Sequence, residues 1–232
     1  MQSRVATGRG DDGSTGLLYG GERIQKDDLR AEAYGTIDEA VAALGVARAQ
    51  VSIKAQDGSL NGGLAGLADL ILRFQRELFV AAAELATNPL AWGRLEDGKT
   101  RVSAQMVEGV EAVLLEMEGH IVMPREFVVP GETLTSGALE QARTVLRRAE
   151  RRAVTLGRDG LIPGAHLLPY LNRLADLLWV LARAAEQAES RTATPSRTTG
   201  GPRPVVNSTM DPSIRARHSA GNAGELPRSE RT

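Results

Sequence analysis

The chain has 232 residues, no cysteine, 3% aromatic residues and a formal net charge of −1. This length suits one domain, or one domain with an appendage. The missing thiols exclude disulfides, thiolate metal sites and cysteine nucleophiles, and the near-zero charge argues against a wholly basic nucleic-acid binder. No apolar run reaches the ~18 residues needed to cross a bilayer. The N-terminus, MQSRVATGRGDDG, has no apolar stretch to serve as a signal peptide. A soluble cytoplasmic protein with neither membrane nor nucleic acid as partner is expected.

Plentiful Ala and Leu with few aromatics predict an all-α fold whose core is filled by helix faces. The spacing predicts five helices. The first runs from about Asp27 to Val51, with Leu29, Ala33, Ile37, Val41, Leu44 and Val51 inward. The second runs from about Leu64 to Ala86 after the Asn61-Gly62-Gly63 break and is stopped by Asn88-Pro89. Ser103 can cap a third helix carrying Val107, Val110, Leu114 and Met117. An extended loop from Pro124 to Gly131 precedes the fourth, about Ser136 to Leu156, for which Gly157 is the expected C-terminal cap. Pro163-Gly164 leads into the fifth, about His166 to Glu189. Residues 1–189 thus form a helical-bundle domain. From Ser190 to Thr232 large apolar residues nearly vanish and seven Arg face three acidic residues. That composition predicts a disordered basic tail, most simply a solvated extension.

Thr7-Gly8-Arg9-Gly10-Asp11-Asp12-Gly13-Ser14-Thr15-Gly16 is the densest signal in the chain. Glycines expose backbone N–H groups and reach positive φ, so such a loop can wrap an anion. It can equally be a flexible turn. Asp11 and Asp12 could hold a Mg²⁺ that a nucleotide brings. By letter the segment spells G-x-G-x-x-G, but only seven residues precede it, too few for the strand that fingerprint requires. It is also not a P-loop, because Ser14 stands in place of the lysine. Its Arg-Gly-Asp tripeptide has little weight in a chain without an export signal. Lys26, just ahead of the first helix, can supply the missing cation.

The fourth helix carries Arg143, Arg147 and Arg151 at i, i+4 and i+8, with Arg148, Glu150 and Arg152 beside them. That spacing stacks guanidinium groups along one stripe, which repel unless a partner neutralises them. A triphosphate would do so through forked hydrogen bonds. A solvated face with local pairs to Glu140 and Glu150 is the plainer alternative. In the fifth helix Asn172, Arg173 and Asp176 sit among leucines and need partners. Asp38 in the first helix is a candidate to pair with an arginine of the fourth, and Glu39 beside it reads as simply exposed. His120, His166 and His218 show no Glu-x-x-His or zinc spacing, and no Gly-x-Ser-x-Gly elbow occurs. Without a protein nucleophile, a transferase must use one carried by its substrate.

TGRGDDGSTGLL (7–18), KDDLRAEAYGTIDEAVAALGVARA (26–49), FVVPGETLTSGALEQARTVLRRAERRAV (127–154) and YLNRLADLLWVLAR (170–183), taken together, resemble the PduO-type ATP:cob(I)alamin adenosyltransferases over about residues 5–187. The resemblance implies a five-helix bundle assembled as a homotrimer with active sites between subunits. It implies transfer of the 5′-deoxyadenosyl group of ATP, with Mg²⁺, to cobalamin. Thr7, Gly8, Arg9, Gly10, Thr15 and Gly16 would wrap the ATP, with Lys26, Arg147, Arg148, Glu150, Arg151 and Asn172 contacting it. Arg147, Asp38 and Arg143 would be the catalytic set, Arg143 pairing with Asp38 of the neighbouring subunit. Phe127 and Trp179 would line the corrinoid. A reductase and an adenosylcobalamin-dependent enzyme are the implied partners. Two positions depart from the pattern: Gly8 stands where many members have Lys or Arg, and Glu140 where many have histidine. The alternative is a non-catalytic nucleotide- or corrinoid-binding chaperone or regulator on the same bundle.

Overall fold

The structure, a computed structural model, describes residues 6–56 and 66–197. Five long helices dominate them: α1 (Leu29–Gln56), α2 (Leu67–Ala86), α3 (Ala104–His120), α4 (Leu134–Arg158) and α5 (Leu167–Ala188). Two short antiparallel pairs accompany the bundle, β1 (Ser14–Thr15) with β2 (Ile24–Gln25), and β3 (Val128–Val129) with β4 (Thr194–Pro195). The all-α bundle read from the sequence is the fold observed. Among the described residues no helix is long and apolar enough to cross a membrane.

Each helix starts and stops for local reasons. Asp28 accepts the backbone N–H of Arg30 at 2.8 Å, opening α1. The Ser103 hydroxyl accepts Met106 N at 3.3 Å, so the expected cap of α3 is present. Thr133 and Ser136 form a reciprocal capping box at the start of α4. The stop of α4 differs from expectation. Gly157 lies inside the helix, which runs to Arg158, and Gly160 takes the left-handed turn at φ +69°. The start of α2 also moves, to Leu67 behind Gly66 at φ +89°. Asn61 to Leu64, its expected break and start, lie outside the described residues.

α1 buries Ala33, Ile37, Ala40, Leu44, Ala47 and Val51 along one stripe, facing both α2 and α4. α4 answers with Leu139, Ala142, Leu146, Ala149 and Ala153. α5 packs on α4 and α3 and is covered on most of its circumference. Each leucine fully withdrawn from water contributes about 2 kcal/mol, so these stripes supply the main driving force. Small Ala residues where α1, α4 and α5 meet let the backbones approach closely.

Ion pairs fix the axial register. Arg152 meets Glu32 at 2.7 Å and Arg148 meets Glu39, so α1 and α4 run antiparallel. Asn172 donates to Glu150 at 3.0 Å and Arg183 lies 3.3 Å from Glu140, so α4 and α5 are antiparallel too. One end of the bundle therefore gathers the start of α1, the end of α4 and the start of α5. The other gathers the start of α4, the end of α5 and the 127–133 loop.

The first residues of the expected tail, which starts at Ser190, make backbone contacts with the bundle domain. Thr194–Pro195 pair with Val128–Val129, and Ser196 N donates to Phe127 O at 2.7 Å. One two-residue ladder and one further backbone hydrogen bond, invisible to composition, hold this stretch. Residues 198–232 of that expected tail lie outside the described ones.

Candidate active site

The N-terminal loop is built, not loose. Gly8 and Gly13 adopt φ +72° and +82°, and two tight turns close on Gly8 O and Gly10 O. Asp12 Oδ1 accepts both Ser14 N at 2.9 Å and Ser14 Oγ at 2.7 Å. Those two hydrogen bonds hold the Asp12 carboxyl below its usual range. Arg23 clamps the loop from β2's side, donating to Ser14 Oγ (2.7 Å), Arg9 O (2.7 Å) and Ser14 O (2.9 Å). Lys26 Nζ donates to Gly10 O at 2.6 Å, and a Cβ on Gly10 would lie only 3.0 Å from that nitrogen. Thr7, Gly8, Arg9 and Gly16 remain exposed and Thr15 half-buried in β1. The result is a preformed, cation-flanked cradle. Arg23 was not among the sequence candidates; its signal was a basic residue nine positions after Ser14 across Gly20-Gly21, a hairpin distance.

The cradle is moored to the end of α2. Leu18 N donates to Ala86 O at 2.8 Å and Asn88 N to Leu18 O at 3.2 Å. Asn88 Nδ2 donates to Gly20 O at 2.7 Å. Buried Arg30 holds the same α2 terminus by donating to Leu85 O and Thr87 O, each at 3.1 Å. These carbonyls have no helical partner, and Arg30 satisfies them.

The arginines of α4 divide into two sets. Arg148 and Arg152 tie down α1 through Glu39 and Glu32, so Glu39 is paired, not merely exposed as expected. Arg147 and Arg151 are exposed, linked only by Arg151 Nη1 donating to Arg147 O at 3.0 Å, and have no acidic partner among the described residues. Glu150 takes Asn172 Nδ2, and Asn172 Oδ1 accepts Arg173 Nη1 at 3.0 Å. Arg173 in turn reaches Glu111 of α3 at 2.9 Å. Asp38 and Asp176 point to solvent. Arg143 pairs within its own helix with Glu140 at 2.6 Å. Among the described residues no hydrogen bond or ion pair joins the cradle to Arg147, Arg151 or Asn172.

Phe127 belongs to the opposite end of the bundle, and Trp179 lies near the middle of α5. Phe127 is 67% exposed, unusual for so apolar a ring. Trp179 is half-buried, its ring 5.5 Å from the Arg183 guanidinium. Along α5, Trp179 stands about 10 Å beyond Asn172. Polar and apolar parts of the site are thus graded along the α4 and α5 axes.

As a resident metal site the loop does not qualify. Asp12 is spent on shaping the turn, and the described residues contain no group of three or more His, Cys, Asp or Glu able to hold an ion.

The cobalamin adenosyltransferase family profile matches residues 5–185. A corrinoid adenosyltransferase from Citrobacter freundii is 37% identical over 183 residues, covering 79% of this chain and 95% of that protein. One from Mycobacterium tuberculosis is 36% identical over 188 residues, covering 79% and 89% respectively. A variant PduO-type ATP:corrinoid adenosyltransferase from Lactobacillus reuteri, complexed with cobalamin and ATP, superimposes with a TM-score of 0.71. Its sequence identity is 27%, over 84% of this chain and 100% of that one. The chain belongs to the cobalamin adenosyltransferase family, and its PduO-type fold is that of this neighbour.

Proposed function

We propose that this chain transfers the 5′-deoxyadenosyl group of ATP to the cobalt of cob(I)alamin, at composite sites between the subunits of a homotrimer. The reaction class, ATP-dependent adenosylation of a corrinoid, follows from the family. The assignment of residues rests mainly on the division within α4: Arg148 and Arg152 are neutralised by α1, whereas Arg147 and Arg151 keep their charge for something outside the chain.

In this reading the corrinoid brings the nucleophile, so the protein needs none. Cobalt(I) supplies the electron pair of the new Co–C5′ bond, while the C5′–O bond breaks and its pair leaves with triphosphate. Negative charge grows on that leaving group, and fixed cations aimed at it lower the barrier. Lys26, Arg147 and Arg151 would provide them, with the backbone N–H groups of Thr7 to Gly10, Thr15 and Gly16 around the phosphates. Arg148 and Glu150 already hold Glu39 and Asn172, so we assign them to orienting α1 and Asn172. Asn172 would then meet the nucleotide through its remaining amide valences. Magnesium would travel on the triphosphate and offset part of its charge.

Among the described residues the cradle and the arginines have no direct tie, which favours a second copy bringing them to one nucleotide. Asp38, exposed, would meet Arg143 of that copy. Phe127 and Trp179 would cover the corrin face and keep water from the cobalt. Cobalt(I) survives only under reducing conditions, which favours a cytoplasmic setting, a reductase as electron source and an adenosylcobalamin-dependent enzyme as recipient.

The test is to mix the protein with chemically reduced cobalamin and Mg·ATP. A light-sensitive alkylcobalamin spectrum with stoichiometric free triphosphate is expected. Nucleotide binding without that spectrum would favour a non-catalytic binding protein instead.

A further inference from the structure

Four charged side chains form a linear array at the Phe127 end of the bundle. Glu140 is 3% exposed, Arg183 1% and Glu186 1%. Glu140 divides its two oxygens between two arginines: Oε2 accepts Arg143 Nε at 2.6 Å, and Oε1 lies 3.3 Å from Arg183 Nη2. Arg183 Nη2 also donates to Glu186 Oε1 at 2.8 Å. The Arg183 guanidinium rests 5.5 Å from the Trp179 ring centre.

The array is formally neutral, two cations against two carboxylates, which is what lets it stay buried. Its hydrogen bonding is nonetheless incomplete: Arg183 Nε and Nη1 have no partner among the described residues. Burial lifts the Glu186 carboxyl above the usual range, with Glu132 and Glu140 adding to the rise and Arg183 and a hydrogen bond from Ser136 opposing it. Hydrophobic side chains of the same volume would pack here at no such cost, so a stability role does not account for the array.

Only Arg143 leads out of it, with a side chain 23% exposed. Glu140 grips Arg143 by Nε alone. The two terminal nitrogens of the guanidinium have no partner among the described residues. A guanidinium fixed at Nε keeps its Nη groups in one plane, the fork geometry that matches a carboxylate.

We propose that Glu140, braced by Arg183 and Glu186, is a positioning residue that presets the Arg143 fork for a carboxylate outside the chain, the exposed Asp38 of a second copy. This inference rests on the composite site proposed above. Arg183 links that fork to Trp179 as well, so one buried array sets both the subunit contact and the wall of the corrinoid side. Residues with free rotamers would lose that registration, and small misplacements cost rate steeply.

The experiment compares wild type, Glu140→Gln, Arg143→Lys and the double variant in the full chain. Melting temperature, the KM values for ATP and reduced cobalamin, and kcat are measured for each. Arg143→Lys keeps the charge and the link to Glu140 but removes the fork. For each single variant the proposal expects kcat about tenfold lower and the KM for ATP within about twofold of wild type. The double variant is expected to be no worse than either single one, because both remove the same positioned fork. Losses in kcat that multiply in the double variant, or a lowered melting temperature with kcat unchanged, overturn it. Should Glu140→Gln fail to fold, Glu140→Asp, which keeps the charge but withdraws the carboxylate from Arg143 by one methylene, decides: about tenfold lower kcat with the KM for ATP unchanged sustains the proposal and normal turnover ends it. A wild type without turnover rejects the enzymatic reading itself, which separates the two failures.

Discussion

Gly21 and Asn88 stand so close that a Cβ at position 21 would lie 1.6 Å from Asn88 Nδ2. Gly21 is also at φ +95°, where side chains are strained. Asn88 cannot swing away freely, since its amide is bonded to Gly20 O and to Leu90 N. This pair fastens the glycine-rich cradle to the end of α2. Gly21→Ala is expected to cost about 2 kcal/mol of local stability and to weaken ATP binding about tenfold, with the helical content unchanged. Isothermal titration with ATP and far-ultraviolet circular dichroism check both parts.

Among the described residues the Arg147 side chain has no partner, and it lies at the surface. Arg147→Ala should therefore leave the melting temperature within about 2 °C of wild type. If it meets the leaving triphosphate, turnover should fall at least about a hundredfold. Near-normal turnover would remove it from the site.

Two truncations separate the paired segment from the rest of the tail. A chain ending after Arg197 keeps the β3–β4 pair and the Ser196–Phe127 bond. It should retain full adenosyl transfer. A chain ending after Glu189 loses both, freeing the loop that carries Phe127. That form should show a raised KM for cobalamin, with the KM for ATP unchanged. Equal kinetics in the two forms would mean that β4 does not position Phe127.

Glu84 is fully buried at the joint of α2, the start of α3 and Gly164. Burial raises its carboxyl above the ordinary value of 4.5, aided by Asp97 and opposed by the hydrogen bond from Val102 N and by the charge of Arg101. The folded state thus holds this proton more tightly than the unfolded one. Its contribution is fully present below about pH 4.5 and is lost as pH rises through the folded value. Asp12, Glu96 and Asp97 shift the opposite way, so the comparison must be with Glu84→Gln, which cannot ionise. Urea unfolding from about pH 4 to 7 should show wild type losing stability relative to that variant. The reverse trend would mean that the hydrogen bonds outweigh burial.

Much of the bundle was legible because helix stripes are local. Ile37, Leu44, Leu78, Leu146 and Leu178 repeat at helical spacing and are all buried, and Ser103 caps where a serine before an apolar repeat should. The stop of α4 at Gly160 in place of Gly157 was not legible, since two glycines three residues apart offer the same turn. The pairing of Thr194–Pro195 was hidden as well, because a two-residue ladder has no compositional signature.

The candidate site divides in the same way. Residue types and spacing by themselves determined that a glycine-rich loop, a row of arginines and an asparagine among leucines were present, and their order brought the family into view. Only the tertiary structure decided which cations are spent and which are free. Arg148 and Arg152 look like Arg147 and Arg151 on paper, but a rotation of 100° per residue turns the first pair toward Glu39 and Glu32 of α1. The cradle's clamp by Arg23, its mooring at Asn88 and the buried Glu140–Arg183–Glu186 array join residues up to 68 positions apart. Such contacts depend on how helices cross, and no local pattern encodes a crossing.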